Sequence, residues 1–341
     1  RFWPYSRADK PKQFLDVMGT CRTLLQMTFD RFSDIVDTDK IYIVTNAAYE
    51  QLVKDQLPEL EPEQVLLEPA KRNTAPCVAY ASYKIREKDE DAVLIFTPAD
   101  HAIFNEASFR QVIETAANGA TDADRLITIG IKPHRPETGY GYIQFLEGDS
   151  ELKEVKTFTE KPELELAKTF LESGDFVWNA GIFVWSIKSI ISSFERLQPE
   201  MAEIFENGRA NYYHKSEVDF IERAFSIVKN ISIDYAIMEK ASNVYVVLGD
   251  FGWSDLGSWN ALHEIRQKDE HANVVEADTI LYGCTNNYIK AEKGKLLVLH
   301  DLDGYLVSDF DDVLLVCKKD DAAKFKAFVT DVKTLKGDRF T

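Results

Sequence analysis

The spacing of apolar positions changes character several times along the chain. Residues 40–45 (KIYIVT) form a β-branched run that predicts a strand, and residues 65–67 predict a shorter one ending at Glu68 and Pro69. Residues 74–86 are alanine-rich and predict a helix. Residues 92–96 (AVLIF) are continuously apolar, as in a strand covered on both faces. A helix over 109–117 and a strand over 126–131 extend the alternation. This rhythm predicts an α/β fold with a doubly wound, mostly parallel sheet, in which ligands gather beyond the carboxyl ends of the strands. From 139 to 185 the texture shifts to strands with turns. Helical stretches follow to about 240, then a strand over 244–248 and a helix over 257–266. After residue 271 short apolar runs begin near Ile280, Tyr288, Leu296, Tyr305 and Val313, separated by Gly, Asp and Asn turns. That spacing predicts a small all-β domain, either a meander or a few turns of β-helix, followed by a helix over 321–332. The expected division is 1–270 and 271–341.

Composition sets limits on this picture. The 341 residues are 45% apolar and 28% charged, an ordinary globular balance. Forty basic against 57 acidic residues give a net charge of -17. That sign argues against a nucleic-acid or anionic-membrane surface, so a polyphosphate would need a local basic pocket. No apolar run approaches the roughly 20 residues that span a bilayer. Four cysteines (Cys21, Cys77, Cys284, Cys317) lie far apart with no CxxC pair, which predicts free thiols in a reducing cytoplasm.

Several segments could carry chemistry. Residues 1–15 (RFWPYSRADKPKQFL) hold Arg1, Arg7, Lys10 and Lys12 in a segment with two prolines. They read either as a solvated basic loop or as a phosphate cradle, where cationic donors meet charge building on phosphoryl oxygens. Thr97, Pro98, Ala99, Asp100 and His101 end the AVLIF strand. Asp100 either caps the next helix or holds a divalent cation, since Mg²⁺ commonly takes one or two carboxylates plus phosphate oxygens. In FGWSDLGSW (251–259) Asp255 is the one carboxylate, either part of a helix start or the second metal ligand. PETGYGYI (136–143), FTEKP (158–162) and VWNAGIFVW (177–185) together offer acceptors, a cation, an amide and aromatic walls, as a sugar phosphate requires. No Ser-His-Asp or Cys-His nucleophile set has local support.

In order, RFWPYSR with KPKQF, EPAKRNTAP, PADH, GIKPHRPETGYGYI, FTEKP, VWNAGIFVW, SIDYAIMEK and FGWSDLGSW resemble the sugar nucleotidyltransferase family. FWPxSR with PKQF, RNTAP and WSDLGSW are closest to its mannose-1-phosphate guanylyltransferase branch. The resemblance runs to about residue 320. It implies a Rossmann-like nucleotidyltransferase fold with a β-helix-like C-terminal domain. The implied reaction is GTP plus mannose 1-phosphate giving GDP-mannose and pyrophosphate, with Mg²⁺. Position by position, it implies that Arg1 and Lys12 grip the triphosphate and that Asp100 and Asp255 hold the metal. Glu68, Asn73 and Thr74 would line the guanine pocket, with Pro98 and Asp100 also on the nucleotide. Gly139, Tyr140, Glu160, Asn179 and Gly181 would surround the mannose, with Lys161 on its phosphate. The family pattern has a glycine-rich stretch before the residue matching Arg1, and such a stretch is expected upstream. Some members carry a further isomerase domain after the β-rich part; the expectation here is transferase activity alone. A homodimer is also implied. The alternatives are an enzyme for another sugar 1-phosphate or nucleotide, and a non-catalytic sugar-nucleotide-binding regulator. The regulator would be expected to lack Lys12, Asp100 or Asp255, all present here.

Overall fold

A computed structural model describes residues 2–121 and 123–341; Arg1, singled out above as a triphosphate cation, lies outside the described residues. The chain forms two compact units, one of residues 1–28, 99–102 and 254–341, the other of residues 29–98 and 103–253.

In the larger unit a six-stranded sheet runs in the order Val93–Phe96, Phe176–Ser186, Leu126–Ile131, Val244–Gly249, Leu152–Glu160, Gly141–Phe145. Gly141–Phe145 also pairs with Phe176–Ser186, which joins five strands in a ring of ladders. Only Leu126–Ile131 against Val244–Gly249 is parallel in this sheet, while Ile43–Asn46 and Val65–Glu68 make a separate parallel pair. The unit is α/β with mixed sheets, so the expectation of a mostly parallel sheet is corrected. The strand–helix alternation that suggested it holds through residue 131. The chain then adds long antiparallel strands, and a central antiparallel strand covered on both faces looks the same in a hydrophobicity pattern.

Both faces of the sheet are covered. Phe183 and Trp185 pack with Val78, Tyr83 and Phe194 on one side, and Ile182 and Val184 with Phe109 and Ile113 on the other. Helices Thr74–Arg86, Glu106–Ala120 and Ile187–Leu197 supply those partners. Strand Phe176–Ser186 is interrupted in register. Gly130 faces Asn179 and Thr128 faces Phe183, so residues 180–182 oppose Ile129 alone. Gly181 takes φ +70° within this bulge, a conformation that glycine adopts without a Cβ penalty.

The smaller unit has its own core. Phe2, Trp3, Leu15 and Val17 are buried with Trp259, Leu262, Val274, Tyr288 and Leu306. Arg266 donates to the Val17 and Met18 carbonyls at 3.0 and 2.7 Å and pairs with Glu276 at 2.9 Å. By packing, the amino-terminal residues 2–28 group with residues 254–341. A change of texture along the chain does not register an amino-terminal segment whose aromatic residues return to the carboxyl-terminal core.

Within this unit Val274–Glu276, Tyr288–Ala291 and Tyr305–Phe310 stack in parallel, as do Asp278–Tyr282 and Leu296–His300. This parallel pairing differs from a meander, whose neighbouring strands run antiparallel. The final strand, Val313–Lys318, adds antiparallel. Buried Asn273 and Asn287 hold the turns: Asn287 Nδ2 donates to Asn273 Oδ1 at 3.0 Å and to the Leu302 carbonyl at 2.8 Å. Satisfying these carbonyls keeps polar backbone from being stranded in the stack.

Candidate active site

Lys12 opens the short 3-10 turn Lys12–Phe14 after Pro11, and its side chain is only 10% exposed. Its Nζ donates to the Asp255 carbonyl at 2.6 Å and to the Leu256 carbonyl at 3.4 Å, and lies 3.1 Å from Asp100 Oδ2. All of these residues belong to the smaller unit. One ammonium thus gathers two other residues chosen from sequence, Asp100 and Asp255, although it meets Asp255 through the backbone. The Asp255 carboxylate accepts the Gly257 N–H at 2.9 Å, which shapes the turn before helix Trp259–Ile265. A cation already rests against the Asp100 carboxylate, and the nearby donors are hard oxygens. That donor set suits a divalent ion held by one or two protein carboxylates. Among the described residues no cluster of three or more His, Cys, Asp or Glu side chains forms a fuller cage.

The sugar-phosphate candidates lie in the larger unit. Glu160 ends strand Leu152–Glu160 with its side chain 7% exposed, and its carboxylate pairs with the Lys161 ammonium. Lys161 stands at φ +49°, its N–H donating to the Tyr140 carbonyl at 3.2 Å. A Cβ on Gly141 would lie 2.5 Å from Glu160 Oε2 and 3.2 Å from Asn179 Cβ, so the missing side chain is what lets these two groups share one place. Asn179 Oδ1 accepts from the Gly181 N–H at 3.0 Å and lies 2.9 Å from the Thr128 hydroxyl. Tyr140 sits edge-on to Trp178 and Trp253, with ring centroids 5.2 and 5.1 Å away. Gly139 is exposed, and its N–H is taken by Glu137 at 3.0 Å.

Sequence reasoning missed Thr128 and Asp234 in this cluster. The alternation of glycine and aromatic residues in GYGY was the signal for Gly141. Asp234 stood within SIDYAIMEK, a segment given no role. Its Oδ1 accepts from Asn179 Nδ2 at 3.0 Å. Burial, and next the neighbouring Glu160 carboxylate, push the Asp234 carboxyl up to about 6.

The base-pocket candidates share the larger unit. Asn73 precedes helix Thr74–Arg86 at φ +63° and donates to Asn230 Oδ1 at 3.0 Å, while Thr74 Oγ1 accepts the Ile233 N–H at 2.9 Å. Glu68 ends strand Val65–Glu68, and its buried Oε1 has no hydrogen-bond partner among the described residues. Burial alone pushes that carboxyl up to about 7. A buried acceptor without a donor is costly to a protein unless a ligand supplies one. Pro98 lies two residues past strand Val93–Phe96 and enters none of these hydrogen bonds.

Known proteins resemble this chain over most of its length. The Escherichia coli protein named mannose-1-phosphate guanylyltransferase is 35% identical over 333 residues, covering 92% of this chain and 71% of that one. The Salmonella typhimurium protein named mannose-1-phosphate guanylyltransferase ManC is 37% identical over 327 residues, covering 92% and 67%. A crystal structure from Thermus thermophilus, described as a mannose-1-phosphate geranyltransferase, superposes with a TM-score of 0.88 at 29% identity, over 97% of this chain and 95% of that one. The nucleotidyl transferase family matches residues 1–272. That span contains the Lys12 cluster and the Glu160–Asn179 cluster alike, and the chain belongs to the nucleotidyl transferase family.

Proposed function

We propose that this chain transfers GMP from GTP to mannose 1-phosphate, forming GDP-mannose and releasing pyrophosphate. The observation that carries the reading is the likeness, over 92% of the chain, to bacterial proteins named for that reaction. In the step itself a phosphate oxygen of the sugar forms a bond to the α-phosphorus of GTP. The bond from that phosphorus to the bridging oxygen breaks, and its electron pair leaves with pyrophosphate. The nucleophile is already anionic near neutral pH, so no side chain has to remove a proton. What the protein supplies is alignment and neutralisation of charge. Lys12, and Arg1 by resemblance, serve the leaving pyrophosphate, and Lys161 offsets the incoming phosphate. Glu160 and Asn179 hold sugar hydroxyls, with Gly139, Tyr140 and Gly181 shaping the walls, while Glu68, Asn73 and Thr74 receive the base. Asp100 and Asp255 would hold Mg²⁺, which supplies Lewis-acid neutralisation of phosphate charge. A pyrophosphate-release assay with GTP, mannose 1-phosphate and Mg²⁺, beside a panel of other sugar phosphates and nucleotides, tests the reading. Release that is absent, or faster with another pair, rejects it.

The Asp255 assignment has its own test. Asparagine keeps the oxygen that accepts the Gly257 N–H, so Asp255→Asn preserves the turn and removes only the charge. The expected result is a fall in kcat on the order of 10²-fold, as for loss of one preorganised charge partner, with little change in Tm. Equal losses of activity and Tm would show that Asp255 serves the helix start alone.

The β-rich stack offers a surface for association. Ile280 and Val298 face each other across the parallel pair, and with Tyr282 and Leu296 they leave an exposed apolar row. We assign this row to the contact of a homodimer working in the cytoplasm, where the free cysteines stay reduced. Ile280→Lys with Val298→Lys is expected to convert a dimer to a monomer in size-exclusion chromatography with light scattering. A dimer that survives the double change would place the contact elsewhere. Among the described residues no helix is long and apolar enough to cross a membrane.

A further inference from the structure

We infer that Asp234 is a positioning residue of the sugar subsite, fixing the Asn179 carboxamide so that one of its N–H groups is presented to a sugar hydroxyl. This rests on the sugar-1-phosphate reading of that subsite. Residues Asp234–Met238 form a π-helical turn, a wider winding that is rare, occurs mostly as single turns and is frequent at functional sites. Asp234 opens it and accepts from Asn179 Nδ2 at 3.0 Å. On the opposite side of the amide, Oδ1 accepts from the Gly181 N–H at 3.0 Å and faces the Thr128 hydroxyl at 2.9 Å. A carboxylate at the nitrogen and donors at the oxygen leave the amide one orientation. Flipping it would set N–H against N–H and a carbonyl oxygen against a carboxylate.

An amide nitrogen carries two hydrogens, and only one goes to Asp234. The other enters no hydrogen bond among those of the described residues, so it is available to a ligand. Glu160, an acceptor, lies across the bare α-carbon of Gly141 from Asn179. A fixed donor beside a fixed acceptor is what neighbouring hydroxyls of a hexose need, because each hydroxyl can give and take one hydrogen bond. The same segment reaches the proposed base pocket: Ile233 donates to Thr74 Oγ1 at 2.9 Å, and Ala75 N–H donates to the Ile231 carbonyl at 3.1 Å. One short segment therefore anchors both subsites. Around the Asp234 carboxyl stand Glu160 and Lys161 from the end of their strand and the Ser232 hydroxyl from its own segment. Above its titration range Asp234 is ionised and is the stronger acceptor for the amide.

The test is steady-state kinetics at pH 8 with the full chain, GTP, Mg²⁺ and mannose 1-phosphate, with Tm recorded for every variant. Asp234→Ala is expected to raise KM for mannose 1-phosphate about tenfold, the usual scale for a lost charge-assisted hydrogen bond, and to leave KM for GTP nearly unchanged. Asp234→Asn, which keeps an accepting oxygen, should restore most of the loss. In an Asn179→Ala background, Asp234→Ala should add nothing, because the group it positions is gone. The inference is overturned if both KM values rise together, if the two substitutions multiply in full, or if Tm falls while KM for the sugar phosphate stays put. Wild-type protein that turns over no mannose 1-phosphate would instead remove the sugar reading, and this role with it.

Discussion

Lys12→Ala is expected to lower kcat/KM about 10²-fold, roughly 3 kcal/mol of transition-state stabilisation, the loss typical when one preorganised donor is removed. The structure adds two consequences to this. Lys12 is nearly enclosed and donates to the Asp255 and Leu256 carbonyls, so its loss leaves acceptors without a donor and should also lower stability by about 1–3 kcal/mol. It further releases the Asp100 carboxylate from its internal cation, 3.1 Å away. Divalent-ion affinity should therefore rise while turnover falls, so half-maximal rate is reached at lower Mg²⁺. Kinetics with Mg²⁺ titration and urea unfolding on one preparation separate these effects. Unchanged turnover with reduced stability would make Lys12 a structural clamp and remove it from the chemistry.

Glu68→Gln is expected to raise KM for GTP by about 10- to 100-fold, since hydrogen bonds to a charged group contribute about 1.5–3 kcal/mol. Guanine presents N1–H and N2–H₂ as donors, and the buried, unpartnered Oε1 of Glu68 is an acceptor in need of one. Only the carboxylate offers full acceptor strength, and burial pushes its titration up to about 7. In the parent protein KM for GTP should then climb as pH falls below 7, whereas the glutamine variant should give a flat profile. Stability runs the other way. The carboxyl titrates near 4.5 when unperturbed and near 7 in the fold, so its contribution to stability is complete below about 4.5 and is lost as pH rises through 7. Glu68→Gln avoids that loss, and its Tm advantage over the parent should widen between pH 5 and 8. A variant with unchanged GTP kinetics at every pH would assign guanine reading to other groups.

Much of the architecture is legible in the sequence. The helix at Thr74–Arg86 and the strand Leu126–Ile131 follow directly from alanine richness and β-branched runs. The eight-residue spacing after residue 271 foretold the β-rich stack. Strand direction was hidden, because a buried strand shows the same apolar run whichever way its neighbours point. The composition of the smaller unit was hidden too, since Phe2 and Trp3 meet Trp259 only through tertiary packing. For the site, cations and carboxylates near Lys12 and Asp100 announced themselves by type and by their place after prolines and strand ends. Asp234 gave no comparable sign, because its role depends on an amide 55 positions away and on a local winding that leaves no mark in residue periodicity.

The bulge in strand Phe176–Ser186 adds two residues opposite Ile129. Two is a full period of a pleated strand, so Phe183 and Trp185 stay on the same side as Val177, and the inside-outside parity of the strand survives the interruption. Changes of length at this point are compatible with the core only in even steps. An odd step would send one hydrophobic layer to the side of the other, whatever it did to the amide at Asn179. Sheet geometry thus sets a counting rule for insertions and deletions here.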